Sequence, residues 1–160
     1  MRGERTIKVI LSRFKECSEY KHDITFNFCS GYITTLQDIK KAINEGVSGN
    51  PIPFGDTDTY IPMCNRDINY HIQRVIYFVY HSEKIKDIKI KSAWWIQDNI
   101  LHTYPHIKIE DGYHRIAAAF YLKLKYVEMS NYDYIRTDIK NYITGVSDVK
   151  PNKSLGLILE

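Results

Sequence analysis

The chain predicts an α+β fold, a compact mixed sheet with packed helices. Short segments alternate apolar with polar residues (Ile24, Phe26 and Phe28; Ile88 and Ile90; Ile107 and Ile109), as half-buried strands do. The stretch from Asp67 to Lys84 instead repeats its apolar residues with a helical period, and the two kinds of segment are interleaved along the chain. At 160 residues, 44% hydrophobic and 26% charged, the chain is the size of one globular domain, which excludes an intrinsically disordered protein or a coiled coil. Twenty-two Lys and Arg against 19 Asp and Glu leave a net charge of +3. That is too small to argue for a nucleic-acid partner from charge alone, and it leaves room for a local phosphate site.

In order, Thr6 to Phe14 (TIKVILSRF) and His22 to Cys29 (HDITFNFC) read as two strands, paired antiparallel. Thr35 followed by Asp38 forms a capping-box pattern, and Leu36, Ile39, Ile43 and a stop at Gly46 give a short amphipathic helix. Gly49 to Pro62 holds three of the five prolines and reads as a loop. It joins residues 1–60, an N-terminal strand and helix extension packed on the core, to residues 61–160. The helix from Asp67 to Lys84 turns Ile68, Ile72, Val75, Ile76 and Val79 to one face, with Asp67 as N-cap. Lysines alternate with Ile88 and Ile90 in a strand that runs into Ala93-Trp94-Trp95-Ile96, and Pro105 to Glu110 is a further strand. After the turn Asp111-Gly112-Tyr113-His114-Arg115 comes a helix whose Ala117, Ala118 and Ala119 permit close packing on a sheet. A strand from Tyr126 to Met129 follows, then a helix from about Asn131 to Thr144 capped by Gly145. The apolar tail LGLILE reads as an added strand or a surface for a partner.

Cys17, Cys29 and Cys64 lie far apart without a CxxC pair, as expected of reduced, buried thiols and not of a zinc knuckle or a disulfide framework. Lys8, Arg13 and Lys15 interrupt the first apolar run, so neither a signal peptide nor a membrane span is expected, and a cytoplasmic protein with no membrane partner is.

The turn at Asp111 to Arg115 carries the chemistry. Glycine at a strand end allows close backbone approach, and the helix that follows points unsatisfied N–H groups at whatever lies before it. Gly112, Tyr113, His114 and Arg115 thus form an anion site to which His114 and Arg115 add charge-assisted hydrogen bonds. Asp111 does not suit a phosphate. It suits a metal ion, or the proton of an attacking hydroxyl, with Glu110 and His114 as further acid–base candidates. The alternative is that Asp111 caps the helix and Arg115 pairs with a surface carboxylate.

Asp67, His71 and Arg74 share a helix side at spacings of four and three. They read either as a pocket edge, where Arg74 reaches a second phosphate and His71 or Asp67 moves a proton, or as solvated surface. His102 and His106 invite a metal reading but lack cysteine or carboxylate partners at regular spacing. Trp94 and Trp95 put one ring on each face of their strand, one into the core and the other available to stack on a nucleobase. Lys84, Lys86, Lys89 and Lys91 make a basic strip, read as a solvated edge that discourages strand pairing or, together with Arg115, as the place where a polyanion would bind.

The strand HIKIE, the turn DGYHR, the helix IAAAFYLKL and the strand KYVEM together resemble the core motif of the ParB and sulfiredoxin superfamily over residues 105–129. Tyr113 stands where sulfiredoxins carry their cysteine, and Tyr113-His114 where chromosome-partition ParB proteins have an acid and an arginine, so sulfinic-acid reduction and a CTP-switched DNA clamp are both disfavoured. The turn is most similar to the DGHHR-like turn of ParB-related kinases, with Tyr113 replacing its first histidine, and to that of uncharacterised phage and plasmid proteins. The resemblance makes residues 61–160 a ParB/sulfiredoxin-like domain and Asp111 a catalytic or metal-proximal carboxylate. It implies ATP, ADP or CTP with magnesium as ligand, and phosphotransfer or phosphate-ester hydrolysis, by a kinase or a nucleotide phosphohydrolase, as the reaction. A non-catalytic DNA- or ligand-binding accessory protein and a ParB-like nuclease are the alternatives, and homo-oligomers stay open.

Overall fold

The computed structural model describes residues 5–18, 26–29, 32–52, 68–131 and 135–158. Its contacts divide the chain into two compact units, and neither is a continuous stretch. The first takes residues 1–21, 86–112 and 125–160, the second residues 22–85 and 113–124. Residues 1–60 are therefore shared between both units.

The first unit is built on a mixed five-stranded sheet. Strand β1 (Arg5–Ile10) leads into helix α1 (Leu11–Cys17); β4 (Ile88–Gln97) and β5 (Ile100–Asp111) form a long hairpin; β6 (Tyr126–Asn131), helix α5 (Thr137–Thr144) and β7 (Leu155–Ile158) follow. The strand order is β1-β6-β4-β5-β7, with β4 parallel to β6 and the other pairs antiparallel. The α+β class is as expected, and the tail LGLILE does add a strand. Two expectations are corrected. The first strand ends at Ile10, because Leu11, Phe14 and Cys17 recur at a spacing of three and bury one side of a helix. Its partner is β6 across the whole register from Arg5↔Asn131 to Ile10↔Tyr126, not the segment His22 to Cys29.

Val9, Phe14, Ile88, Ile90, Ile107, Ile139 and Ile143 are all fully buried and make the core of this unit. Cys17 lies among them, and burial pushes its thiol up to about 11, so it is an inert core residue. Helices α1 and α5 are tied by Arg13, which donates to the carbonyls of Tyr142 (3.0 Å) and Ser147 (3.1 Å) and pairs with Asp148 at 2.7 Å, satisfying backbone acceptors at the end of α5. Tyr142 donates to Glu16 of α1. Helix α5 starts later than expected, since β6 continues to Asn131, and it ends as predicted at Gly145, left-handed at φ +86°.

Arg136, just before α5, is 1% exposed. Its guanidinium grips both carboxylate oxygens of Asp138 (3.0 and 2.6 Å) and donates to the carbonyls of Lys153 (2.6 Å) and Thr103 (3.4 Å), while its backbone N–H meets Ser92 Oγ at 3.0 Å. Burial raises the Asp138 carboxyl, but the hydrogen bond and charge of Arg136 outweigh it and hold Asp138 below the usual carboxylate range.

The second unit holds the hairpin β2 (Phe26–Cys29) and β3 (Tyr32–Thr34) and the helices α2 (Leu36–Asn44), α3 (Ile68–Tyr80) and α4 (Tyr113–Tyr121), with a 3-10 turn at Ser82–Lys84. Helix α2 is capped as its sequence predicts. Thr35 Oγ1 accepts from the Asp38 N–H at 3.4 Å, Asp38 accepts from the Thr35 N–H at 2.8 Å, and Gly46 turns left-handed at φ +80°. Helix α3 packs against α2 and α4, with Val75 and Ile76 fully buried. Ile68 and Ile72, expected in the core, line an open groove of about 600 Å3 shared with Asp38 and Lys41 of α2 and with Glu45 just after it. Asp67, Cys64 and most of the predicted loop to Pro62 lie outside the described residues. Among the described residues no helix is long and apolar enough to cross a membrane.

Candidate functional site

The face that α3 buries is turned from the one its apolar stripe predicts. His71 (1% exposed) and Arg74 (7%) lie inside, and the solvated-surface reading of these two residues is overturned. Both depend on partners remote in sequence. His71 Nδ1 and His114 Nε2 share a hydrogen bond of 2.8 Å, their rings within 13° of parallel, and Tyr70 stands edge-on to both. Arg74 Nη1 donates to the carbonyl of Asn50 at 2.9 Å, and its guanidinium lies over the ring of Phe78 at 4.8 Å. The segment that supplies Asn50 is laid along α3. The Asn50 N–H reaches the Gln73 carbonyl at 2.9 Å and Tyr70 Oη the Ile52 carbonyl at 3.1 Å. At Gly49 a Cβ would meet the backbone of Tyr77 at 2.7 Å, so only glycine lets the segment lie this close.

The result is a cluster of two guanidiniums and two imidazoles. Burial first, then the positive charges of His71, Arg74 and Arg115, push His114 down to about 3, so its imidazole is neutral at pH 7. Burial and the charge of Arg115 likewise lower Arg74, against the raising influence of Tyr70 and Tyr77. Arg74 stays charged nonetheless, as guanidinium does in proteins. Its Nε is buried without a hydrogen-bond partner, and such an atom in a charged group costs free energy until an acceptor reaches it.

The structure thus brings together four of the sequence candidates, His71 and Arg74 of α3 with His114 and Arg115 of the first turn of α4. Tyr113 begins that helix. Tyr70 and Asn50 were not anticipated; the only signal was Gly49-Asn50-Pro51, a turn triplet without chemistry of its own. Glu110 and Asp111 are exposed at the end of β5 in the sheet unit, where the register Lys89↔Asp111 and Ile90↔Ile109 makes Glu110 a bulge residue, and Gly112 follows at φ +107°. His102 and His106 stack on aromatic rings. Among the described residues no group of three or more His, Cys, Asp or Glu side chains is placed to hold a metal ion.

A neutral His114 ties stability to pH. Its folded pKa lies below the unfolded value of about 6.5, so the unfolded chain binds the extra proton, and stability present above pH 6.5 is lost as the pH falls toward 3. Urea midpoints at pH 7.5, 6.0 and 5.0 should fall in that order, and more steeply than those of His114→Gln. Equal slopes for the two proteins would refute a neutral imidazole at His114.

Comparison of the chain with protein-family models, with curated proteins and with solved structures finds no match.

Proposed function

We propose that the chain binds a phosphate-bearing small molecule through Arg74, His114, Arg115 and the first N–H groups of α4, and acts on it by phosphotransfer or phosphate-ester hydrolysis. The observation that carries the reading is Arg74, a nearly buried cation with an unsatisfied Nε in the field of a second cation, Arg115. A phosphate would satisfy that nitrogen with one oxygen, offset the repulsion from Arg115, and fill the anion position before a helix N-terminus. The role of Asp111 rests on the turn's resemblance to ParB-related kinases, as acceptor of a hydroxyl proton, and Glu110 beside it in sequence is the second carboxylate. A magnesium ion that arrives with a nucleotide keeps most of its waters and would neutralise charge on the phosphates.

ATP, ADP or CTP with magnesium, at about a hundred times its Kd, should stabilise the chain by about 2.7 kcal/mol and raise Tm by roughly 5–10 °C. Arg115→Ala should weaken that ligand about tenfold or more, the loss of one charge-assisted hydrogen bond. Asp111→Asn should keep the shift and lose turnover. A shift without turnover in the unaltered chain would reduce the proposal to a binding protein, and no shift with any nucleotide, with or without magnesium, would end it.

A further inference from the structure

The rings of the β4–β5 hairpin carry no further site. Trp95 and Tyr104 are the inner members of a stack between His102 and His106, with no ring face left over. Neither tryptophan is in the core, as one of them was expected to be. The ladder irregularity between Ser92 and Trp94 buries both Ser92 and Ala93 and leaves Trp94 52% exposed.

The segment from Gly49 to Ile52 in the other unit has a consequence for Arg74. Its contacts on α3 fall at Tyr77, then at Gln73 and Arg74, then at Tyr70, spacings of three and four that share one side of the helix, so the segment runs antiparallel to it. Three hydrogen bonds fix it to the helix, through the Asn50 N–H, the Asn50 carbonyl and the Ile52 carbonyl. A fourth closes it on itself, the Ile52 N–H meeting Asn50 Oδ1 at 2.9 Å across Pro51, whose ring holds the backbone angle between them. Gly49 is not one of the left-handed glycines, so what bars a side chain there is the approach to Tyr77 and not the backbone angle.

The Arg74 guanidinium is held on one edge by the Asn50 carbonyl and across its plane by Phe78 at 4.8 Å and Tyr77 at 5.4 Å. Without that carbonyl Nη1 would join Nε as a second nitrogen lacking an acceptor, and a charged side chain of this length would turn to water and leave the interior. The segment therefore keeps the cation inside and leaves Nε for another acceptor. A buried polar group without a partner calls for such a completing group.

We propose that Gly49, Asn50 and Ile52 form a strap that positions Arg74 for a phosphate oxygen, a role that rests on the phosphate reading of that site. Gly49 and Tyr70 are then positioning residues that act through Arg74. The test uses the full chain and inorganic phosphate at constant ionic strength. Gly49→Ala should weaken phosphate about tenfold, the loss of a charge-assisted hydrogen bond, and Tyr70→Phe, which keeps the ring and cuts the tie to Ile52, about threefold. In an Arg74→Lys background, itself weakened about tenfold or more, neither substitution should cost as much as a further factor of about two. Additive losses in that background would mean a general loosening of the unit and would overturn the strap. A second readout needs no ligand. Hydrogen exchange of the Arg74 Nε–H, followed by 15N NMR and assigned by its absence in Arg74→Lys, should be slow in the unaltered chain and faster in both strap variants. Exchange that neither variant changes would likewise overturn the strap. Phosphate that fails to bind the unaltered chain, beside exchange that responds, would overturn the reading of the site and not the hold on Arg74.

Discussion

Asp138→Ala should destabilise the chain by about 3 kcal/mol, read as a drop in the urea midpoint at unchanged slope. The substitution removes both partners of the Arg136 fork and leaves a guanidinium that is 1% exposed, which cannot lose its proton and cannot reach water. The cost belongs at the low end for a broken buried pair, for two reasons. The Asp138 side chain is 44% exposed, so the pair is only half removed from solvent, and Arg136 keeps the carbonyls of Lys153 and Thr103. Arg136→Met should cost less than Asp138→Ala, because it removes the charge instead of stranding it, and the double variant should be more stable than Asp138→Ala alone. If Asp138→Ala loses less than about 0.5 kcal/mol, the value of an exposed pair, Arg136 is not the clamp described. Acid should reproduce part of the effect. The folded pKa of Asp138 is depressed, so its contribution is present above the unfolded value of about 3.9 and is lost as the pH falls through the folded one.

Gly112→Ala should cost about 3 kcal/mol, from two terms that can be separated. The residue sits at φ +107°, where a side chain is strained, and a Cβ there would stand 3.1 Å from Ile88 Cγ1 and 3.2 Å from Ile88 Cα. The second contact is backbone of an interior strand and cannot yield as a flexible side chain would. Gly46→Ala is the control. It has φ +80° with nothing within 4 Å of the added carbon, so it should cost about 1 kcal/mol of conformational strain alone. Equal losses at the two glycines would mean that Ile88 gives way.

What could be read in the sequence was local. The capping box of Thr35 and Asp38, the stop at Gly145 and the alternation of Ile88 and Ile90 each depend on neighbours a few residues away, and each element formed where those residues put it. The period of α3 was equally plain, but the side it would bury was not. An apolar stripe favours Ile68 and Ile72, and what turns His71 and Arg74 inward is His114 and Asn50, 43 and 24 residues away. Partners so remote leave no trace in a helical pattern. The same holds for Arg136, whose burial is made tolerable by carbonyls 33 and 17 residues distant. At α1 the signal was present in Leu11, Phe14 and Cys17, and the β-branched run before them masked it. The candidate site was legible as residue types, an Arg and a His in each of two segments. Their meeting was not, because the segments lie about 40 residues apart in the chain.

The pairing of β1 with β6 sets an order of events during synthesis. Strand β1 is made first, yet the strand that satisfies its backbone lies about 120 residues later, and β7 must then close on β5. The five-stranded sheet therefore cannot finish before its last segment has left the ribosome, while α2 and α3 can form much earlier. In the interval the apolar strand Thr6 to Ile10 waits with an open edge. Slow, chaperone-sensitive maturation of that sheet follows from the connectivity itself, whatever ligand the mature chain goes on to bind.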